Sequence, residues 1–363
     1  MKLAIFGGTF NPPHNAHVNI VGQAKAQLGL DKTIVMPCGI PPHKKCDVDA
    51  ETRLTLTQLA FDSCEVSDYE IKKQGASYTV ETLRHFKNLY PNAELFLVIG
   101  GDSYRNFDKW YCAQEIANSV TFVVAERPVE FQTAQTKPTT GTKAVFLDIE
   151  PSSVSSTEVR LRYEFGFDNA HLVPKAVDEY ILQHGLYAKF RDIAQKLRAY
   201  LTESRLNHTF YVVKRGLEFA TPEERDKVFL ACLLHDCAKY VSPTDYAKYG
   251  FVPPADMPEP VIHSFLGEYV AKRDFGVTDA DVLSAIAYHT TGCPNMTRLQ
   301  KIVYVADKTE ETRHYPLEHL LKGSLDDVLK ACLAEANSYT KAHHGTEEYA
   351  LTKATLDFYF PKN

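Results

Sequence analysis

The fold of the first half of the chain is decided by MKLAIFGGTFNPPHNAH, which occupies residues 1–17. An apolar run stops at Gly7-Gly8 and, after Pro12-Pro13, resumes as a helix-like pattern from Ala16 to Leu30. This pattern predicts a strand, a loop and a helix in succession. Because glycines let the backbone approach an anion and a helix start offers unpaired N–H groups, the junction is suited to binding phosphate.

Two histidines in this stretch are candidates for contacting that phosphate. His14 and His17 are three residues apart, so a helix that begins near Pro13 places both on one face, pointing back at the loop. Their ring N–H groups can donate to phosphate oxygens. Paired glycines alone are typical of any first turn of a nucleotide-binding sheet with two solvated histidines, but the length of the unbroken motif favours the specific interpretation.

Composition limits the classes of protein and of partner. A chain of 363 residues with 44% hydrophobic residues predicts two domains. A net charge of −6 and a pI near 6.2 argue against a broad nucleic-acid surface, so small nucleotides fit better than polymers. Eight cysteines without a Cys-x-x-Cys pair indicate reduced thiols. No secretion, membrane or lipidation signal precedes the first strand, so we expect a cytoplasmic protein without a membrane partner; homo-oligomerisation stays open.

Strand-like and helical patterns alternate through the first half. Strand-like runs occupy 32–37, 64–71, 94–99, 119–125 and 144–147, and helical patterns occupy 51–61, 77–90 with Ser77 as N-cap, and 173–187. This alternation predicts a doubly wound, Rossmann-like α/β domain with a parallel sheet over residues 1–188. Ligands of such sheets gather at the carboxyl ends of strands.

Three segments at those strand ends are candidate ligand contacts. Pro41-Pro42-His43-Lys44 follows the second strand, where a phosphate-binding role and a solvated basic turn are equally good interpretations. Gly100-Gly101 and Asp102 follow residues 94–99, and Asp102 either caps the next helix or faces ribose and adenine. Trp110, the only tryptophan, lies with Tyr111 beyond a polar stretch, which favours a ring-stacking surface over a core position.

A second anion-binding junction is predicted at VSSTEVR, residues 154–160. Serine and threonine followed by an acidic residue are typical of a capped helix start. The same hydroxyl and N–H groups can hold the β- and γ-phosphates of a nucleotide, with Arg160 one turn further on gripping two oxygens. Two such junctions at opposite ends of one α/β region favour the phosphate interpretation.

The GGTFNPPHxxH motif resembles the signature of the nucleotidylyltransferase superfamily, and most closely that of the nicotinate mononucleotide adenylyltransferases. Ala16 replaces the usual glycine between the histidines. The resemblance implies AMP transfer from ATP, with Mg²⁺, to nicotinate mononucleotide in NAD biosynthesis, with His14, His17 and Arg160 catalytic. It implies that ATP binds to Gly7, Gly8, Thr9, Phe10, Gly100, Asp102, Ser155, Ser156, Thr157 and Arg160. It implies that the mononucleotide binds to His43, Lys44, Tyr78, Thr79, Trp110 and Tyr111. Nicotinamide mononucleotide and phosphopantetheine remain alternative acceptors.

The second half changes to helical periodicity after a short linker near 187–191. Helical segments are predicted at 191–203, 208–219, 222–238, 260–275, 279–289, 297–308 and from 324 to near the end. An all-α domain is therefore expected over residues 189–363.

Histidines and aspartates stand at or near the ends of these apolar helical segments, at His208, His235, Asp236, His263, His289 and Asp307. One His–Asp pair alone is usually a hydrogen-bonded polar pair. Six such residues can converge inside a bundle, and mixed imidazole and carboxylate ligands suit iron, manganese or a similar divalent metal, of which we expect iron. Cys237, beside them, is the thiol that we expect to be sensitive to oxidation.

The order of these residues resembles the HD phosphohydrolase superfamily, and their surroundings resemble the bacterial branch that cleaves diadenosine tetraphosphate symmetrically. The resemblance implies one metal on His208, His235, Asp236 and Asp307, and a second metal or the scissile phosphate on His263 and His289. Asp236 and Lys239 would be catalytic, with Lys239 neutralising phosphate charge and Arg313 a weaker candidate. Other nucleotide phosphohydrolases and a nucleotide-sensing module remain alternatives.

Overall fold

The computed structural model describes residues 1–40, 46–73, 75–126, 138–150, 152–313, 319–344 and 349–361. The chain divides into two units. The first unit contains Met1–Tyr163 and Phe167–Ala188, and the second contains Glu164–Gly166 and Lys189–Asn363.

A six-stranded parallel sheet forms the centre of the first unit. Its strands are β1 (Lys2–Gly8), β2 (Lys32–Pro37), β3 (Glu65–Val66), β4 (Glu94–Gly100), β5 (Thr121–Ala125) and β6 (Lys143–Phe146), in the order β3-β2-β1-β4-β5-β6. The strand order reverses beside β1, so the loops after β1 and β4 border the crevice where ligands of such sheets bind. The predicted Rossmann-like fold is confirmed.

Helices and hydrophobic cores cover both faces of this sheet. The helices are α1 (Asn15–Leu28), α2 (Ala50–Ala60), α3 (Tyr69–Lys72), α4 (Thr79–Leu89), α5 (Gly101–Arg105), α6 (Ala113–Ser119), α7 (Ser156–Glu164) and α8 (Lys175–Gln183). Along β1, Leu3 and Ile5 enter one core, and Ala4 and Phe6 enter the other. Burial on both faces explains why the strands are continuous apolar runs.

Two predicted elements of the first unit differ from the structure. The strand expected at 64–71 is limited to β3, because Tyr69–Lys72 forms a helical turn in which Asp68 pairs with Lys72 at 2.6 Å. Ser77 is not the N-cap of α4. The Tyr78 carbonyl accepts the first helical hydrogen bonds, so Tyr78 takes that position.

The second unit is a helical bundle, and no strand is found among its described residues. Its helices are α9 (Arg191–Leu197), α10 (Glu203–Phe219), α11 (Arg225–Leu234), α12 (Glu259–Asp274), α13 (Ala280–Ala287), α14 (Arg298–Thr309), α15 (Leu325–His344) and α16 (Ala350–Tyr359), with a 3₁₀ helix at Pro243–Tyr249. Helices α10, α11, α13 and α14 pack against one another. The predicted all-α architecture is confirmed.

The helix boundaries of the second unit correct two expectations. The helix predicted at 191–203 ends at Leu197, where the backbone changes to tighter turns in which the N–H of Tyr200 donates to the carbonyl of Leu197 at 2.9 Å. The next helix, α10, begins after Thr202, whose hydroxyl accepts from the Arg205 N–H at 3.3 Å. The helix predicted from residue 324 onward is two helices, α15 and α16. None of the helices in the described part of the chain is long and apolar enough to cross a membrane.

Candidate active sites

The loop after β1 is shaped by the ring of Phe10. Phe10 has a positive φ of 49°, and its ring packs 5.5 Å from the Phe6 ring and 5.2 Å from the His17 ring, measured between centroids. A Cβ atom on Gly8 would lie 2.9 Å from the Phe10 ring. Glycine at position 8 is therefore required by the packing inside the loop.

The two predicted histidines lie together at the start of α1. Their rings stack with centroids 3.6 Å apart, and the backbone N–H of His14 donates to Nδ1 of His17 at 3.2 Å. Because Nδ1 of His17 accepts a hydrogen bond, the proton of the neutral ring resides on Nε2. His17 is thus arranged as an Nε2–H donor, and the buried His14 is held against it.

The second junction lies directly against the first. The Ser156 hydroxyl donates to the carbonyl of Pro12 at 2.8 Å, and Nη1 of Arg160 donates to the carbonyl of Asn11 at 2.6 Å. Nη2 of Arg160 also donates to the Thr157 hydroxyl at 3.3 Å. Two segments about 150 residues apart in sequence therefore form one cluster of hydrogen-bond donors.

Ser155 has a different position from its neighbours. Its hydroxyl accepts the backbone N–H of Glu158 at 3.2 Å, which is the capping interaction considered from the sequence. The capping interpretation therefore applies to Ser155, and the phosphate interpretation of Ser156, Thr157 and Arg160 stays a prediction.

Sequence reasoning missed a carboxylate next to Arg160. Oδ2 of Asp47 lies 2.8 Å from Nε of Arg160 and accepts from Nδ2 of Asn11 at 3.1 Å. The buried Tyr187 hydroxyl donates to Oδ1 of Asn11 at 2.8 Å. Asp47 lies in no motif, so the sequence contains no signal for this network.

A second missed residue is the buried Arg53. Its Nη1 donates to the carbonyls of Thr9 at 3.0 Å and Cys38 at 2.6 Å, and its Nη2 donates to the carbonyl of Gly39 at 2.7 Å. Arg53 therefore ties the loop after β1 to the loop after β2. A signal was present, since this arginine shares the apolar face of α2 with Leu56 and other buried residues.

The predicted ring-binding residues divide into exposed and packed groups. Tyr78 and Tyr111 are exposed, with ring centroids 5.0 Å apart, and Thr79 begins α4. The Trp110 indole is half-buried, 5.5 Å from the Phe107 ring in the core. The indole therefore packs against the core while part of it stays exposed, and its role in ring binding stays a prediction.

The remaining candidates of the first unit follow β2 and β4 in the sequence. Gly100 is the N-cap of α5, and Asp102 lies within that helix, so Asp102 does not cap it. Oδ1 of Asp102 accepts from Nη2 of Arg105 at 2.7 Å, and Asp102 is largely exposed. His43 and Lys44 lie outside the described residues.

In the second unit, four of the predicted ligands meet in the bundle interior. Nε2 of His208, on α10, lies 3.3 Å from Nε2 of His235 and 3.2 Å from Oδ1 of Asp307, on α14. Oδ2 of Asp236 lies 3.4 Å from Nε2 of His235. All four side chains are buried.

His263 and His289 complete the cluster on the other side of Asp236. Their Nε2 atoms lie 3.3 Å apart and are 3.1 and 3.6 Å, respectively, from Oδ1 of Asp236. The two oxygens of this carboxylate thus face two sets of imidazoles. Nζ of Lys239 lies 3.4 Å from both ring nitrogens of His263.

The ring orientations in this cluster suit a metal. Nδ1 of His235 donates to the carbonyl of Cys232 at 2.7 Å, and Nδ1 of His289 donates to the carbonyl of Ile286 at 2.8 Å. Both Nε2 lone pairs therefore face the cluster. Two overlapping groups have ligand atoms within 4.8 Å of one another, namely His208, His235 and Asp307, and His235, Asp236 and His289. The donors fit a divalent transition metal.

The protonation states of His289, Asp236 and Asp307 suit coordination. Burial opposes a charge on His208, but its hydrogen bonds with Asp307 and Glu310 raise its pKa above the ordinary value. Burial lowers the pKa of His289 to about 4, so its imidazole is neutral at pH 7. Burial opposes ionisation of Asp236 and Asp307, but His235 beside Asp236 and Lys308 beside Asp307 hold the pKa of each carboxyl well below its usual range. Neutral imidazole and ionised carboxylate are the forms that bind metal.

Several side chains around the cluster were not identified from the sequence. The buried Glu310 accepts from Nδ1 of His208 at 3.1 Å and so orients that ring. Nη1 of Arg205 lies 3.1 Å from Oδ2 of Asp236, and Nζ of Lys308 lies 2.7 Å from Oδ2 of Asp307. Arg205 precedes His208 by one helical turn, which was a usable signal.

Two further predicted residues can be placed beside the cluster. Nη2 of Arg313 lies 2.7 Å from Oδ1 of Asp307. This weaker candidate therefore belongs, with Arg205 and Lys308, to the cations that surround the cluster. Cys237 is fully buried, and its thiol donates to the carbonyl of Gly267 at 3.5 Å. Because burial raises the pKa of the Cys237 thiol and keeps reagents away, the expectation that it is sensitive to oxidation is wrong.

Comparison with known families agrees with this division into two chemistries. The Cytidylyltransferase-like family matches residues 5–162, and the HD domain family matches residues 205–312. The class of the protein is therefore a nucleotidylyltransferase-type unit joined to an HD domain.

Individual relatives narrow the class. The nicotinate-nucleotide adenylyltransferase of Bacillus subtilis is 36% identical over 191 residues, covering 51% of this chain and 98% of its own. The "probable nicotinate-nucleotide adenylyltransferase/Ap4A hydrolase" of Mycoplasma genitalium is 30% identical over 323 residues, covering 86% of this chain and 88% of its own. A solved structure titled as a predicted HD superfamily hydrolase involved in NAD metabolism, from Clostridium acetobutylicum, is 27% identical with a TM-score of 0.44, covering 47% of this chain and 96% of its own.

The chain belongs to the nicotinate-nucleotide adenylyltransferase family, in the form that carries a second, HD, domain. The resemblance inferred from the motifs is thereby confirmed.

Proposed function

We propose that the protein is a bifunctional nucleotide enzyme. The first unit transfers AMP from ATP to nicotinate mononucleotide, giving deamido-NAD and pyrophosphate. The second unit hydrolyses diadenosine tetraphosphate to two molecules of ADP. The observation that carries the first activity is the contact of Ser156 and Arg160 with Pro12 and Asn11, which joins the two junctions predicted to bind phosphate.

Adenylyl transfer needs no protein nucleophile. A phosphate oxygen of the mononucleotide attacks the α-phosphorus of ATP in line, and the bond from that phosphorus to the bridging oxygen breaks, so pyrophosphate leaves. His14, His17, Ser156, Thr157 and Arg160 stabilise the negative charge that develops on the leaving group, while Mg²⁺ enters with ATP as part of the substrate. The Nε2–H of His17 is the donor whose direction is fixed by the bond at Nδ1.

The acceptor is assigned to the side of the sheet with the exposed aromatic pair. Tyr78 and Tyr111 offer faces for a pyridine ring, with Thr79 and Trp110 beside them, and His43 and Lys44 are assigned to the mononucleotide phosphate. Gly100 and Asp102 are assigned to the adenosine of ATP. The Bacillus subtilis relative, named for nicotinate nucleotide, supports nicotinate over nicotinamide.

For the second unit, His208, His235, Asp236 and Asp307 would hold one divalent metal, and His263 and His289 a second metal or the scissile phosphate. A bound metal supplies a water of lowered pKa and polarises the phosphoryl oxygen. Lys239 beside His263, and Arg205 beside Oδ2 of Asp236, neutralise the phosphate chain. The name of the Mycoplasma genitalium relative supports diadenosine tetraphosphate as substrate.

One set of incubations tests both activities. The purified chain is given Mg·ATP with nicotinate mononucleotide, nicotinamide mononucleotide or phosphopantetheine in parallel, and products are identified by mass. Deamido-NAD should form fastest; faster product from another acceptor would contradict the assignment.

The hydrolase is tested on the same preparation with diadenosine tetraphosphate before and after chelation. We expect ADP as the sole nucleotide product, loss of hydrolysis on chelation, and recovery with Fe²⁺ or Mn²⁺ but not with Mg²⁺ alone. Mg²⁺ alone should restore adenylyl transfer. Formation of ATP and AMP instead of ADP would show that cleavage is not symmetrical.

A further inference from the structure

A cleft of about 800 Å³ opens in the second unit beside the histidine and aspartate cluster. Lys239 and His263 line it together with apolar side chains of the 3₁₀ helix, of the segment that follows it and of α12, chiefly Tyr246, Phe251, Val252 and Ile262. The proposed hydrolysis uses Lys239 and His263 but leaves the apolar part of the cleft without a role.

The apolar wall of this cleft is built from packed aromatic rings. The Tyr246 and Phe251 rings meet edge to face with centroids 5.9 Å apart, and Phe251 packs 5.4 Å from Tyr269. Val252, beside them, is 83% exposed. A planar ligand could stack on the half-buried Tyr246 ring and contact the exposed Val252 side chain. Both contacts would remove apolar surface from water.

The charged side chains that line the cleft indicate how a ligand would be oriented in it. Lys239 and His263 are shared with the cluster, where phosphate is assigned. Glu259 lines the cleft one helical turn before His263, so both side chains lie on the same face of α12. A ligand anchored by phosphate at His263 would meet a carboxylate within one helical turn.

We propose that this cleft is the nucleoside subsite of the hydrolytic site, a step that rests on the function proposed above. The base lies against Tyr246, Phe251 and Val252, the sugar hydroxyls donate to Glu259, and the phosphates begin at Lys239 and His263. The volume is ordinary for a site of this ligand size. An alkyl chain is a poorer occupant, since it would desolvate Glu259 without offering a hydrogen bond.

The subsite has a consequence for recognition. A nucleoside diphosphate can occupy the cleft and the cluster together, whereas pyrophosphate can occupy only the cluster. The two ligands therefore separate the contribution of the cleft from that of the metal and cations.

The experiment uses the full chain loaded with Mn²⁺ and measures binding of ADP and of pyrophosphate by calorimetry. Binding to the second unit is the part of the signal that disappears in Asp307→Ala. Binding that remains in this variant is assigned to the first unit and subtracted. Tyr246→Ala should weaken this ADP binding about tenfold, as loss of a base-stacking ring does, and leave pyrophosphate within about twofold. Glu259→Gln, at an exposed position, should weaken ADP about threefold without affecting folding.

Phe358→Ala is the matched control, because it removes an exposed aromatic ring from α16, and it should leave both ligands unchanged. Unchanged ADP binding in both cleft variants would overturn the proposal, as would an equal loss of ADP and pyrophosphate. If the variants selectively lose ADP but the chain does not cleave diadenosine tetraphosphate, the subsite stands and the proposed reaction fails. If cleavage occurs and the variants bind ADP normally, the reaction stands and the subsite fails.

Discussion

The two candidate sites are built from different parts of the polypeptide. In the first unit, loops at strand ends are fixed to one another through backbone carbonyls, with Arg53, Ser156 and Arg160 as the donors. In the second unit, side chains project from separate helices into one buried cluster around Asp236. The first arrangement gathers hydrogen-bond donors, and the second gathers lone pairs and carboxylate charge.

This difference has an energetic meaning. Donors that rest on carbonyl oxygens are satisfied before any ligand arrives, so the first site is stable without one. The single hydroxyl proton of Ser156 must leave the Pro12 carbonyl before it can reach a phosphate. Buried carboxylates and imidazoles within 4 Å of one another are stabilised only in part by their own hydrogen bonds and by Arg205, Lys308 and Arg313. The second site therefore depends far more on what it binds.

The largest effect is expected at the cation-binding cluster. Asp307→Ala removes a carboxylate from the cluster, and we expect hydrolysis of diadenosine tetraphosphate to fall on the order of 10³-fold, with loss of bound metal and unchanged adenylyl transfer. Activity and metal content are measured on the same preparation. Asp326→Ala, which removes an exposed carboxylate paired with Lys301, is the control and should change neither. Retention of metal and hydrolysis in Asp307→Ala would remove this residue from the site.

The reciprocal change is made in the first unit. His17→Ala removes the oriented Nε2–H donor, and we expect pyrophosphate release to fall about 10²- to 10³-fold while hydrolysis is spared. Both rates are measured with saturating substrates. His171→Ala, at an exposed histidine, is the control. Loss of both activities would show that the two units are not chemically independent.

A smaller effect is expected from the carboxylate that holds Arg160. Asp47→Ala removes a partner 2.8 Å from Nε of Arg160, and we expect KM for ATP to rise about threefold to tenfold with kcat little changed. Steady-state kinetics measure this split, Asp47→Glu should recover part of the loss, and the exposed Asp62→Ala should have no effect. A lower KM would mean that Asp47 restrains Arg160 from the phosphate.

The smallest effect is expected at a buried carboxyl that belongs to neither candidate site. Burial raises the pKa of Glu70, whose Oε1 accepts from the Thr82 hydroxyl at 2.7 Å. The folded protein favours the protonated Glu70 carboxyl, so its contribution to stability is fully present below the ordinary pKa of the unfolded chain. That contribution to the free energy of unfolding is lost as pH rises through the raised pKa of the folded protein. Glu70→Gln should therefore gain stability relative to the parent chain as pH increases from 4 to 8.

Urea unfolding followed by Trp110 fluorescence measures that gain, because the only tryptophan lies in the first unit. The comparison variant is Glu94→Gln, which removes an exposed carboxyl. A difference between Glu70→Gln and the parent chain that shrinks with rising pH would contradict the burial argument.

The sequence predicted elements best where local pattern and burial agree. Strands β1, β4 and β5 are continuous apolar runs because both of their faces are covered, and their positions are correct to within two residues. The edge strand β3 is only two residues long, and α5 and α6 are short, so no periodicity distinguished them. Thr202 separates two helices by a single capping bond that an apolar pattern does not reveal.

The candidate sites show the same limit. The residues of the two phosphate motifs and of the His–Asp series could be named because each stands in a recognisable pattern. Asp47 and Glu310 could not, because their roles depend on partners that are distant in sequence. Arg53 could have been noticed from its place on the apolar face of α2, but its carbonyl partners could not. The part played by Trp110 stays a prediction, since its indole packs on Phe107 and the exposed rings are Tyr78 and Tyr111.

The burial of Cys237 has a practical consequence for handling the protein in air. A thiol that is sealed beneath α12 and kept protonated cannot be the first group that oxygen attacks. If the protein is stored in air and then unfolded, labelling with a thiol reagent should therefore still find Cys237 reduced.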